Sequence, residues 1–156
     1  MIDWLTMERV VITGIGAVTP LGLTFNTSWH ALLQGETGIR PVQTHHPWKL
    51  AGVLPPLDFS LMFSGKGLLT LDRFVLYALA SAQMALDDAM LLSARHRSNL
   101  AHTSILVGSS RAGISSLDQA SRALGMKKKI SPFLMPATTL FMAPATIEIG
   151  RASCRE

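Results

Sequence analysis

Apolar and polar positions fall in blocks along this chain, and each block has its own period. The β-branched run Val10, Val11, Ile12 gives way to a glycine-spaced loop and then to Thr19-Pro20-Leu21-Gly22. That pattern predicts a short buried strand delivering its end to a tight turn. Gly14 and Gly16 would permit backbone angles or approaches that a Cβ blocks. Asn26 is the expected cap of a first helix with the apolar stripe Phe25, Trp29, Leu32 and Leu33, stopped by Gly35. From Glu36 to Leu69, Pro41, Pro47, Pro55 and Pro56 leave an irregular connection with a brief strand over Lys49 to Leu54. So long a connection points to a functional or interface excursion.

The clearest helix is predicted from Leu71 to about Leu91, capped by Thr70. Its face carries Phe74, Ala78, Ala82, Ala85 and Ala89, flanked by Val75, Leu79, Leu86 and Met90. Alanines on a packing face imply close approach to another element, so this helix is expected between layers. Ser104 to Val107 reads as a second buried strand with a turn at Gly108-Ser109-Ser110. Ser115 and Asp118 resemble a capping box before a short helix that Gly125 ends. Ser131 to Ile147 reads as a proline-punctuated loop and a small-residue helix that Pro144 kinks or breaks. Strands alternating with helices predict an α/β layered architecture with a largely parallel sheet.

The composition fits a core-rich globular chain: 156 residues, 48% hydrophobic and 15% charged. No apolar run reaches the roughly 18 residues that span a bilayer. Phe74 to Met90 is interrupted by Ser81, Gln83, Asp87 and Asp88. The N-terminus, with Asp3 and Glu8, does not read as a signal peptide, and a cytoplasmic location is the expectation. The net charge of +4 suits an acidic protein partner. Lys127-Lys128-Lys129 is read as a solvated turn, and no basic face interleaved with aromatics suggests nucleic acid. The single cysteine, Cys154, excludes an internal disulfide, and His45-His46 lack ligands at metal spacing.

One competing reading of the opening glycines is a dinucleotide loop. It requires Gly-x-Gly-x-x-Gly or Ala opening a helix directly after the strand. Here the third position is Thr19, Pro20 follows, no helix signal starts before Asn26, and Glu36 as a ribose-binding acid follows the helix stop Gly35. The nucleotide reading is therefore disfavoured.

The stretch Val10 to Gly22 closely resembles the opening of the β-ketoacyl-acyl carrier protein synthases, the condensing enzymes of the thiolase superfamily. The likeness extends through Leu32 to Ile39, Leu71 to Asp88, Gly108 to Gly113 and Ile130 to Phe133. The elongating type II synthases carry a similar Asp-Arg-Phe segment. The resemblance implies a thiolase-like layered α/β fold, of which this chain is most of the first of two halves, and no cofactor. It implies that a cysteine takes an acyl chain from acyl carrier protein and condenses it with a malonyl-derived carbanion, two histidines stabilising the oxyanion. By family spacing that cysteine falls past the end of this chain. None of His30, His45, His46, His96 and His102 matches a catalytic histidine, so no catalytic residue is assigned here.

Family positions that do fall inside the chain concern binding. Lys66 matches a basic position that meets the acidic carrier protein, although a second such position is Leu69 here. Arg111, in Ser110-Arg111-Ala112-Gly113, matches a turn lining the acyl pocket where relatives often carry a small or aliphatic residue. The bland alternative is that its stem packs while its head reaches water. Phe133 and Leu134 match a loop that reaches the partner subunit's pocket in the family's homodimers.

The last nine residues, Glu148 to Glu156, can be encoded in frame by a common short-read sequencing adapter. They are read as a non-native tail following residues 1 to 147, and Cys154 is not taken as a nucleophile. The expectation is an inactive N-terminal piece of a fatty-acid synthase of this class. Alternatives are a polyketide or specialised-lipid ketosynthase, and a non-catalytic partner resembling a chain-length factor. A stand-alone binding module would need a complete sheet, and exposed edges disfavour it.

Overall fold

Helix α1, Phe25–Leu33, is started by two threonines. The computed structural model describes residues 9–43, 47, 49–62, 71–92 and 103–153. Thr24 holds an extended backbone (φ −133°, ψ 161°), and its Oγ1 accepts from the Thr27 amide at 3.2 Å. Thr27 Oγ1 returns the bond to the Thr24 amide at 3.2 Å. This reciprocal pair places the cap two residues ahead of the expected Asn26. Gly35, at φ +73°, stops the helix as expected. The stripe does not face a core: Trp29 is 47% and Leu32 55% exposed, while Ser28 and Ala31 are buried.

The turn at Thr19 to Gly22 forms, with Thr19 N–H donating to Gly22 C=O at 2.8 Å and Gly22 N–H to Thr19 C=O at 3.1 Å. Buried Ser28 ties it to α1, its Oγ lying 2.8 Å from Thr19 Oγ1. The following connection is less irregular than its prolines suggested. Strand β1, Ile39–Pro41, pairs antiparallel with β2, Leu50–Gly52, in the register Ile39↔Gly52, Arg40↔Ala51, Pro41↔Leu50. Pro41 can end a strand in a two-stranded ribbon because the ladder has an open side. A helical turn α2, Phe59–Met62, follows.

Helix α3, Arg73–Asp88, is the structural spine. Asp72 caps it, its carboxylate accepting from the Phe74 amide at 3.1 Å; the expected cap, Thr70, lies outside the described residues. Leu76 and Ala80 bury against Phe59, and Phe59 meets Tyr77 edge to face at 5.1 Å. The alanine side receives the glycine loop. A Cβ on Gly16 would strike Ser81 C=O and lie 2.7 Å from the Ala85 amide nitrogen. One on Gly14 would strike Ala85 C=O and lie 2.8 Å from Ala89 Cβ. Ile15 N–H donates to Asp88 Oδ2 at 2.9 Å, pinning the loop to the same helix. Close approach at Gly14, at Gly16 and along the alanine face was the expectation, and it is found at Ala85 and Ala89. Helix α6, Met142–Ser153, also packs on α3 with Ala143, Thr146 and Ile147 buried.

Two expected strands are absent. Val10 and Ile12 are 94% and 83% exposed, Leu106 is 94% exposed, and neither run forms a ladder. A parallel strand is held by hydrogen-bonded neighbours and by cover on both faces, and among the described residues these runs have neither. The single sheet among the described residues is the antiparallel pair. Further along, α4, Ile114–Gly125, begins at Gly113 (φ +64°) and has no side-chain cap of its own. The expected Ser115–Asp118 box does not form; Asp118 pairs instead with exposed Arg122 at 3.0 Å. The helix ends at Gly125, but Lys127, at φ +55°, takes the left-handed position beyond it. Pro144 neither kinks nor breaks α6, because it occupies the first turn, where a missing N–H costs nothing. A short α5, Leu134–Thr138, precedes it.

Candidate functional site

Arg111 stands on the turn that leads into α4, and its side chain is exposed. The turn is tightly seated: a Cβ on Gly113 would lie 2.5 Å from Ala137 C=O of α5. On one side of α4 a groove of about 400 Å³ is lined by Val53, Asp72, Phe74, Tyr77, Arg111 and Ser115. Apolar side chains and rings form much of its wall, and its charged lining residues are Asp72, Arg73 and Arg111.

Phe133 and Leu134 lie on the other side of α4. They border a second groove of about 300 Å³ with Gln119, Ala123, Lys129 and Ile130. Phe133 is 58% exposed at the start of α5, and its N–H donates to Ser131 Oγ at 3.2 Å. The structure therefore places Arg111 and the Phe133–Leu134 pair in separate grooves, divided by α4. Lys66 lies outside the described residues, as do His45, His46, His96, His102 and Cys154. His30 is exposed on α1.

A third groove, of about 410 Å³, was not anticipated. Pro20, Leu21, Phe25, Trp29, Leu32 and Ile39 line it, and Phe25 stacks on Trp29 at 6.2 Å. The signal for it was present as the α1 stripe, which periodicity reads as a core face because it cannot tell a core from an open cleft.

Asp58 is held below the usual carboxylate range by the Ser60 hydroxyl, 2.6 Å from Oδ1, and then by the Ser60 amide at 2.9 Å; it lines none of the three grooves. No three His, Cys, Asp or Glu side chains gather as a metal site among the described residues. Among them, too, no helix is long and apolar enough to cross a membrane.

Comparison with known proteins places this arrangement. The family model "Beta-ketoacyl synthase, N-terminal domain" matches residues 7–149. The chain is 32% identical over 153 residues to 3-oxoacyl-[acyl-carrier-protein] synthase 2 of Vibrio harveyi, covering 94% of this chain and 36% of that protein. It is 36% identical over 88 residues to the putative polyketide beta-ketoacyl synthase 2 of Streptomyces halstedii, covering 54% of this chain and 21% of that one. A β-ketoacyl synthase crystal structure from Burkholderia phymatum superposes with a TM-score of 0.73 at 22% identity, over 93% of this chain and 37% of its own. The chain thus spans about a third of the length of the relatives it matches. Its fold is part of the thiolase-like α/β fold, and by the match over residues 7–149 the chain belongs to the β-ketoacyl synthase family.

Proposed function

We propose that residues 1–147 are the N-terminal part of an elongating β-ketoacyl-acyl carrier protein synthase of fatty acid synthesis, and that residues 148–156 are a non-native tail. The likeness to the Vibrio harveyi synthase over 94% of the chain carries this reading. In the whole protein a cysteine thiolate attacks the acyl thioester and expels the carrier's thiol, leaving an acyl-enzyme. Decarboxylation of malonyl-acyl carrier protein then supplies a carbanion. It attacks the acyl carbonyl and releases the cysteine, while two histidines hold the developing oxyanion. Cysteine and histidines belong to the part of the enzyme beyond residue 147, so the 156-residue chain is inactive on its own.

This chain contributes binding surface. Arg111 lines the acyl pocket, Phe133 and Leu134 reach the pocket of a second subunit, and Lys66 meets the acidic carrier protein. A guanidinium facing a long alkyl chain would be left without a partner, at a cost of several kcal/mol if buried. The exposed Arg111 is therefore assigned to short or polar acyl groups. The enzyme is assigned to the cytoplasm as a homodimer. A second reading, a polyketide ketosynthase, draws on Arg111 and on the likeness to the Streptomyces halstedii protein. A partner resembling a chain-length factor would lack the cysteine. Genomic sequence continued past codon 147 tests all three. The first two require a cysteine flanked by small residues soon afterwards, and another residue there would move the assignment to the third. Recovery of Glu148 to Glu156 from an independent genomic clone would overturn the tail.

A further inference from the structure

We infer that Asp72 is a positioning residue for acyl selectivity, acting through the turn that carries Arg111. The inference rests on the synthase reading above and on a contact that spans 44 residues of sequence. Helix α4 starts at Gly113 in the left-handed region and has no side-chain cap of its own. Asp72 supplies that cap from outside. Its Oδ2 accepts from the Ser116 amide at 2.9 Å and from Ser116 Oγ at 2.6 Å, while Oδ1 accepts from the Phe74 amide at 3.1 Å. One carboxylate, 6% exposed, thereby caps α3 and α4 together.

The geometry gives this double cap a consequence. Asp72, Arg111, Gly113 and Tyr77 line the same groove, and the backbone at Gly113 is seated against Ala137, whose C=O would lie 2.5 Å from an added Cβ. The turn is held between two supports, and Asp72 is the polar one. Without it, the first turn of α4 can rotate against α3, and Arg111 moves relative to the Phe74 and Tyr77 rings. Asp72→Asn keeps the shape and the bond to Phe74, but it turns an amide NH₂ toward the Ser116 N–H and leaves that donor unpaired.

The experiment uses the full-length synthase carrying this chain, with acyl thioesters of graded chain length as probes and rates of cysteine acylation as readout. Asp72→Asn is expected to change the ratio of short-chain to long-chain acylation by about threefold or more, a coupling in the range of contacting residues. In an Arg111→Ile background the same change is expected to leave the ratio where Arg111→Ile alone put it. Ser116→Ala, which removes only the hydroxyl bond, is expected to shift the ratio in the same direction by less, and it decides the matter if Asp72→Asn does not fold. A loss by one common factor at every chain length would overturn the inference, as would an equal shift in both backgrounds. Absence of acylation by the unsubstituted enzyme would overturn the synthase reading itself, and the inference with it.

Discussion

Gly16→Ala probes the contact around which the described part of the chain is built. The added methyl would strike Ser81 C=O and lie 2.7 Å from the Ala85 amide nitrogen and 2.9 Å from the Ser81 carbonyl carbon. All three atoms are backbone of α3, so no rotamer can relieve the clash. Either the loop lifts off or the helix shifts, and the adjacent bond from Ile15 N–H to Asp88 resists lifting. Overpacking costs typically about 1–3 kcal/mol, and with only backbone to yield the expectation is the upper end, about 3 kcal/mol. Gly108→Ala is the control, because among the described residues nothing lies within 4 Å of its added methyl. Such a substitution should stay within about 0.5 kcal/mol of the parent. The assay is urea unfolding of the full-length protein followed by far-UV circular dichroism, with midpoints compared at a common slope. A Gly16→Ala midpoint indistinguishable from that of Gly108→Ala would refute the close approach of loop and helix.

Other expectations follow from single contacts. Thr24→Ala should cost about 1 kcal/mol by the same unfolding assay, because it removes one half of a reciprocal cap, whereas Asn26→Ala should cost far less. Arg122→Ala should change stability by no more than about 0.5 kcal/mol, since its bond to Asp118 joins two exposed side chains one helical turn apart. Arg111→Ile should extend the acyl chains accepted by the full-length enzyme, read as a chain-length profile of cysteine acylation; identical profiles would make Arg111 a solvated turn residue.

What the sequence made legible, and what it hid, follows the range of the interactions. Glycines at 14 and 16 and alanines at 85 and 89 each signalled close approach through a missing side chain, but that they meet one another is a fact of tertiary packing. The turn at Thr19 to Gly22 and the stop at Gly35 are local chemistry and form as read. The runs at Val10 to Ile12 and Ser104 to Val107 have strand composition, but strand formation needs partners, and none is paired with them among the described residues. Strand β1 was masked by Pro41, which an open ribbon edge tolerates. The cap of α4 was misassigned to Ser115 and Asp118 because its real donor–acceptor pair, Ser116 and Asp72, is distant in sequence. At the candidate site, the family motifs pointed to Arg111, Phe133 and Leu134. That α4 divides them into separate grooves, and that α1 leaves its stripe on an open cleft, are facts of tertiary packing.

Mass spectrometry of the full-length protein after incubation with an acyl thioester tests the central claim most directly. The account predicts an acyl adduct on a cysteine encoded beyond codon 147, and an unmodified 156-residue chain treated in parallel. An adduct on Cys154 of the 156-residue chain, or no adduct on any cysteine of the full-length protein, would contradict it.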